Sequence, residues 1–508
     1  MNKNFKSNRG DFHTIYQGKS VDALIIEYME ENEIPGMSLA IVQAPYITRV
    51  VGYGFADTTK KRLVSTRTLF SVGQLTNAFT AVAIMQLKEE EKLQLDDLIS
   101  NYLLSIPEQW SNITIRHLLT HSSGIPDYTE CKGFSYSTHY KSVDVINLIK
   151  DKALLFAAGS AMQTSASNFY LLGLLIEQIS GLSYEAYVTK NQIERVGLKH
   201  TFFINNTPTI DNEVNNNSNP FKHSEFLKNP TFIDPVECAV GYNSSNDTAI
   251  ETTWTATFAN SGVVASAEDI SIWDISLAGS ILVKEAENRA FLYNSAVLDN
   301  QNIVPGNVGW FFPGHHGLME IKGAIPGFSA FLSRFTAPNE LLCVTLLANK
   351  ENLPDLDILG RKIAAAFDSN LASLAGSSGT ETIQSPYSVK ETMKRLTALV
   401  NKQGGKVFAH IDHSGEAQKI GQSLLPTEVL IIGNPAKGTS LMQENAAVAL
   451  DLPLRIMATE DQNGQVWLSF TDPAYLAKEY SLGNKELKQM AKGLRKMCEK
   501  TISTQSIL

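Results

Sequence analysis

Cysteine is scarce in this sequence: four residues in 508, and Cys131, Cys238, Cys343 and Cys498 are scattered without C-x-x-C spacing. That spacing excludes a disulfide framework or a zinc ribbon and fits free thiols in a reducing compartment. Long apolar runs are missing too, so no stretch is expected to span a bilayer. The opening "MNKNFKSNRGDFHTIYQGKS" is polar and lacks an apolar signal core, so the expected location is cytoplasmic. Basic runs interleaved with aromatics are also absent, and the net charge is -9, which argues against a nucleic-acid partner.

What is present is an ordinary globular composition, 43% hydrophobic and 19% charged, on a chain too long for a single core. The Gly/Ser/Thr-rich stretch "SLAGSSGTETIQSP" reads as a linker. It suggests a body over residues 15–370, a linker over 371–384, a small domain over 385–482 and a closing helix and tail over 483–508. In the body, "VDALIIEYMEENEI" has helical spacing at Val21, Leu24, Ile25 and Tyr28, and "SAEDISIWDISLAG" opens with Ser266 and Asp269 in capping-box spacing. "MSLAIVQ" and "TRVVGYGFA" read as early strands, "GFSAFLSRF" and "LLCVTLLAN" as late ones. An α+β domain follows, its sheet completed by segments far apart in the chain. "NNTPTIDNEVNNNSNP" reads as a surface loop. The last third alternates helices and strands and includes a hairpin turn at Gln462-Asn463-Gly464.

The stretch "FSVGQLTNAFTAVAIMQL" reads as a tight turn entering a buried helix, with Gln74 and Asn77 one turn apart. Its longer context, "TLFSVGQLTNAFTAVAIMQLKEEEKLQLDDLISNYL", resembles the nucleophile region of the serine β-lactamase and penicillin-binding-protein superfamily, closest to the class C and esterase-like branch. "TIRHLLTHSSGIPDY", "SNFYLLGLLIEQISGLSYEAYV", "NSGVVASAEDISIWDISLAG" and "GAIPGFSAFL" match that family's landmarks in order, from about Val21 to Phe367. The resemblance implies a β-lactamase/transpeptidase-like domain: an antiparallel sheet flanked by helices, an all-helical subdomain and a site in the cleft between.

The resemblance also implies three catalytic elements, and this chain departs from each. The family's S-x-x-K supplies a hydroxyl nucleophile and an amine that takes its proton. Here those positions are Gln74 and Asn77, and S-x-x-K occurs nowhere else. The Y-x-N element falls on Thr164-Ser165-Ala166, and the K-T-G or H-x-G element on Ile321-Lys322-Gly323. Lys322 is one place off and is expected to point to the opposite face of its strand. No catalytic residue is intact, and no metal or cofactor is expected. Ser71 and Thr76 read as structural, as do His117 and His121, while His315-His316 reads as a turn.

The expected function is a non-catalytic pseudoenzyme that binds, senses or scaffolds, with a small-molecule ligand in the cleft as its expected partner. The alternative is an enzyme of the same superfamily, either an esterase- or β-lactamase-like hydrolase or a rebuilt site. In a rebuilt site Gln74, Asn77 and Thr164 would hold a ligand for lyase- or isomerase-type chemistry. The tail, about Ser385 to Tyr480, resembles domain-of-unknown-function family three hundred and two, which implies a small α+β domain and supplies no established activity to carry over. Its candidate cluster is His410, Asp412 and His413; a self-bonding turn is the plainer account of it than a metal site. The loop with Gly433, Pro435 and Gly438 resembles a phosphate-binding loop only loosely. The sequence carries no signal for oligomeric state.

Overall fold

The computed structural model describes residues 15–16, 18–44, 46–103, 106–207, 236–304, 306–312, 318–335, 342–367, 371, 380–460, 464, 466–471, 473, 476, 480, 482 and 484–502. His315, His316, most of the Asn-rich stretch and the middle of the expected linker lie outside the described residues. The chain divides into two compact units. The second holds residues 380–502 and also the hairpin of Ala296–Val297 with Ile303–Val304, which lies inside the stretch expected to belong to the body.

The strands of the main sheet of the first unit are β1 (Gly36–Gln43), β2 (Tyr46–Asp57), β3 (Arg62–Leu63), β4 (Gly306–Asn307), β5 (Trp310–Phe311), β6 (Leu318–Ile325), β7 (Phe328–Phe335) and β8 (Leu342–Ala348). They form one eight-stranded sheet in the order β4-β5-β6-β7-β8-β1-β2-β3. Leu346 of β8 lies opposite Leu39 of β1, so the two ends of the body close the sheet, as expected. The helices that matter here are α1 (Val21–Glu31), α2 (Thr76–Glu89), α3 (Ile115–Leu119), α4 (Ala166–Ser180), α5 (Ala267–Ala278) and α6 (Leu356–Phe367).

Alternation along β1 explains the layers. Met37, Leu39 and Ile41 pack with α1 and α6, and α1 turns Val21, Leu24, Ile25 and Tyr28 into that core, as its spacing predicts. The opposite face meets α5. Ser266 caps α5 by accepting the Asp269 N–H at 3.2 Å, but the reciprocal half of the capping box is absent. The Asp269 carboxylate is engaged elsewhere, accepting the His200 N–H at 2.7 Å and the Thr201 hydroxyl at 2.9 Å. Further along α5, Asp274 forms a two-pronged pair with Arg334 of β7, both side chains about 5% exposed or less. Arg334 also stacks over Tyr293, 4.8 Å from the ring centre.

Helix α2 is buried from Thr76 to Leu87 and runs through the middle of the helical layer. The Thr80 hydroxyl donates to Ala259 O at 2.6 Å, which satisfies it inside that core. Helix α3 holds His117 but stops short of His121. It ends at Thr120, and His121 follows at φ 54°. His117 instead completes a cap with Thr114, bonding in both directions at 3.2 Å. His121 is fully buried, and its Nδ1 accepts the Ser165 N–H at 3.3 Å and the Asn168 amide at 3.0 Å. Asn168 is held in that orientation because its Oδ1 accepts the Ser123 hydroxyl at 2.6 Å. His121 thus sets the start of α4.

The second unit is a five-stranded antiparallel sheet of β9 (Thr380–Ser385), β10 (Lys406–Asp412), β11 (Thr427–Gly433), β12 (Leu454–Glu460) and β13 (Val466–Thr471), ordered β9-β13-β12-β11-β10. Its helices are α7 (Val389–Lys402), α8 (His413–Lys419), α9 (Pro435–Glu444) and α10 (Asn484–Ile502). Strand β9 corrects the expected linker: its backbone pairs along β13, and Thr382 bonds Ser469 at 2.9 Å, so a polar composition did not prevent a strand. Helix α10 is likewise no separate tail, because Leu487, Leu494 and Met497 enter the same core as Met393 and Leu396 of α7.

Two outcomes are expected. Asp274→Ala strands a buried guanidinium and should cost about 3–5 kcal/mol, read by denaturant melting; an Asp274→Leu, Arg334→Met double variant should recover most of that loss. For His121, burial without a counter-charge pushes the pKa from 6.5 down to about 4. Above pH 6.5 the ring is neutral in both states; between 6.5 and 4 only the unfolded chain takes up the proton, so stability falls with pH across that window. The loss should approach about 3 kcal/mol, and His121→Asn should make it shallower in urea midpoints measured at pH 7 and 4.5.

Candidate functional site

The site begins at a turn. Phe70–Ser71 pairs with Val263–Ala265, and the chain then enters a short 3-10 turn, Gly73–Leu75, that leads directly into α2. Gly73 has φ 53°, and a Cβ there would sit 2.7 Å from the Ala324 nitrogen. Across from it a Cβ on Gly323 would lie 2.0 Å from Val72 O and 3.3 Å from the Gln74 nitrogen. The turn and β6 therefore meet backbone to backbone, which only glycine permits.

That contact places Gln74. Its Oε1 accepts the Ala324 N–H at 2.6 Å, so the side chain lies across the join between α2 and the strand. One turn along, Asn77 is 4% exposed, and its Oδ1 has no hydrogen-bond partner. Gly309 and Ile321 wall it in: a Cβ on Gly309 would meet Asn77 Cβ at 3.0 Å and Ile321 Cδ1 at 3.3 Å. Thr76 is structural, as expected, its hydroxyl accepting the Val263 N–H at 3.1 Å. Ser71 lies in the short strand opposite Val264.

The second element sits at the start of α4. Thr164 is exposed, while Ser165 and Ala166 are buried. Ser165 occupies the N-cap position but makes no capping bond, and its Oγ has no partner. Asp127 caps the helix in its place, accepting the Ala166 N–H at 2.8 Å with one oxygen and the Thr129 N–H at 2.8 Å with the other. Sequence reasoning missed Asp127; its signal was an acidic residue in the turn "GIPDY", far in sequence from the helix it caps. The strand β4 region links the two elements, since Val308 N donates to Leu119 O at 3.0 Å beside His121, and Gly309 abuts Asn77.

On β6, Ile321 and Gly323 face inward. Lys322 points to the other face, as the alternation predicts, and pairs with Asp357 of α6 at 3.0 Å. Lys322 and Arg361 flank Asp357 and hold its carboxyl below the ordinary value despite burial. The structure therefore joins Gln74 to the edge of β6 and Asn77 to Ile321, while Lys322 is turned away. Gln74 and Asn77 are neutral amides, and a carboxamide can only bond and orient at neutral pH.

In the second unit the expected cluster does not assemble into a metal site. His410 bonds Glu428 at 2.6 Å; Asp412 caps α8, taking the Gly415 N–H at 2.8 Å and the Ser414 hydroxyl at 2.7 Å; His413 begins that helix. The Gly415 N–H lowers the Asp412 pKa. Among the described residues no group of three or more His, Cys, Asp or Glu could hold a metal ion. The loosely phosphate-loop-like segment is the start of α9, where Asn434 Oδ1 already accepts the Ala436 N–H at 3.1 Å.

Comparison with known proteins bears on the fold and the family. Fluoride-specific ion channel FluC 1 of Brucella suis biovar 1 is 47% identical over 106 residues, 21% of this chain and 42% of that protein. Protein flp of Staphylococcus aureus strain MW2 is 26% identical over 348 residues, 66% of this chain and 64% of that protein. The chain thus spans less than two thirds of the length of either relative. No helix among the described residues is long and apolar enough to cross a membrane. A penicillin binding protein from Bacillus halodurans shares the fold at TM-score 0.53 and 21% identity, over 68% of this chain and 98% of that one. Class C β-lactamases share it as well. Residues 381–504 match the Domain of unknown function DUF302. Residues 21–367, well over half of the chain, match the Beta-lactamase family model, and the chain belongs to that family within the serine hydrolase superfamily.

Proposed function

We propose that the first unit is a β-lactamase fold without β-lactamase chemistry, which binds, senses or scaffolds and does not cleave. One observation carries this: at the position matching the family's nucleophile stands Gln74, and its carboxamide oxygen takes the Ala324 N–H at 2.6 Å. In acyl transfer an N–H at such a place must be free for the oxyanion that develops on the substrate. Here it already has an acceptor, on a side chain that cannot attack a carbonyl.

The other matched positions support the same reading. Asn77 is no base, Thr164 offers no phenol, and Ala166 offers no amide. Ser165 keeps a hydroxyl, but the neighbouring His121 Nδ1 is committed to the Ser165 N–H and to Asn168. Once one member of a catalytic unit is gone, loss of the others costs little further rate. The glycines that hold the turn against β6 serve the fold and remain. A cytoplasmic location belongs to the same proposal and suits four free cysteines.

The test is intact-mass spectrometry after exposure to benzylpenicillin and to p-nitrophenyl acetate. The natural chain should remain at its unmodified mass with both, and a stoichiometric acyl adduct on any residue of the cleft would overturn the proposal. A Gln74→Ser, Asn77→Lys variant run alongside reports whether the fold still supports acylation once the missing groups are returned.

A further inference from the structure

We infer that the far end of α2 carries a second site, separate from the cleft, for a free polar α-amino acid. Its ammonium group enters beside Gln86 and Glu89, and its carboxylate meets Arg195 and Lys284 at the mouth. The site lies about 18 Å along the helix axis from Asn77, so it stands whether or not the cleft cleaves.

The last turn of α2, the turn Thr189–Ile193 and residues 284–285 border a cavity of about 200 Å³ in the first unit. Thr189–Ile193 is a π-helical turn, a form frequent at functional sites. Gln86 ties these segments together, its Nε2 donating to Asn191 O at 3.1 Å and to Leu282 O at 3.0 Å. The residue is 5% exposed, and its Oε1 has no partner. Of the buried unpartnered side-chain atoms among the described residues, this is the one on a residue that lines the cavity. A buried acceptor left unmet is unfavourable, so the inner wall calls for a donor.

The surrounding charges decide which donor. Glu89 accepts the Lys284 and Glu285 N–H groups at 3.1 and 2.8 Å, which fixes a carboxylate in the wall. The carbonyl end of α2 adds negative potential, so an ammonium group suits this part and an anion does not. The mouth has the opposite character. Glu90 is already paired with Lys92 at 2.8 Å, and Glu285 accepts the Asn288 amide at 3.0 Å. Arg195 and Lys284 are exposed, and neither side chain makes a hydrogen bond or an ion pair with another described residue. The unpaired charge at the mouth is therefore positive, and a carboxylate matches it. Ammonium inside and carboxylate outside describe an α-amino acid. Size and lining narrow it further, because the cavity is below the roughly 300–1,000 Å³ of drug-sized pockets and its lining side chains are all polar. A metal ion fits less well, since among the described residues no three His, Cys, Asp or Glu could hold one.

The test uses the full-length chain and L-glutamine, with glutaramate as the analogue lacking the ammonium and 4-aminobutanamide as the one lacking the carboxylate. By calorimetry, L-glutamine should bind saturably, one per chain, and each analogue at least about tenfold more weakly. Arg195→Ala should weaken L-glutamine by a similar factor while leaving the ligand-free melting temperature unchanged, because the side chain is exposed and unpaired. In 15N spectra of the natural chain, L-glutamine should shift the Gln86 side-chain amide and leave the Ala324 amide of the cleft in place. No saturable binding at millimolar concentration, equal affinity for all three compounds, or unchanged affinity in Arg195→Ala would overturn the inference. So would binding that moves the Ala324 signal and not that of Gln86. None of these results involves an acyl adduct, so failure here is distinct from failure of the non-catalytic reading.

Discussion

The cleft depends on two backbones that meet without side chains between them. Gly73 turns at φ 53° against the Ala324 nitrogen, and Gly323 faces Val72 O so closely that a Cβ would overlap it. Because of that contact, the first turn before α2 and the edge of β6 are fixed relative to each other to within a hydrogen bond's length. The Gln74 bond to Ala324 and the position of Asn77 beside Ile321 both follow from it. An enzyme would use such a join to aim a nucleophile and a donor at one carbonyl. Here the same join aims a carboxamide at the donor.

The rest of the first unit is built to hold that join still. Arg334 and Asp274 lock α5 to β7, Thr80 and Thr76 fasten α2 within the helical layer, and His121 with Asp127 sets the start of α4. These bonds satisfy polar groups within the unit. Asn77 Oδ1 and Ser165 Oγ are among the buried polar atoms of this unit that lack a partner. Unmet groups of this kind cost about 1–3 kcal/mol each.

Much of this was legible in the sequence. Helical spacing in α1, the strand pairs at both ends of the body and the turn before α2 all follow from local periodicity. Lys322 was readable as turned away because side chains alternate on a strand. What escaped was non-local. Asp127 caps a helix 39 residues downstream, and no spacing rule reports a carboxylate that acts across such a gap. Strand β9 was hidden in a Ser/Thr-rich stretch because its stability comes from pairing with β13, not from its own composition. The Gln74 clasp could not be read at all, since its partner is a backbone N–H 250 residues away.

The central claim is that the Ala324 N–H is occupied by Gln74. Amide hydrogen exchange at Ala324, compared between the natural chain and Gln74→Leu, tests it most directly, because leucine keeps bulk and removes the acceptor. The account predicts slow exchange in the natural chain and fast exchange in the variant, with the neighbouring β6 amides unchanged. Equally fast exchange in both would mean that the N–H stands open to solvent and that Gln74 does not hold the cleft.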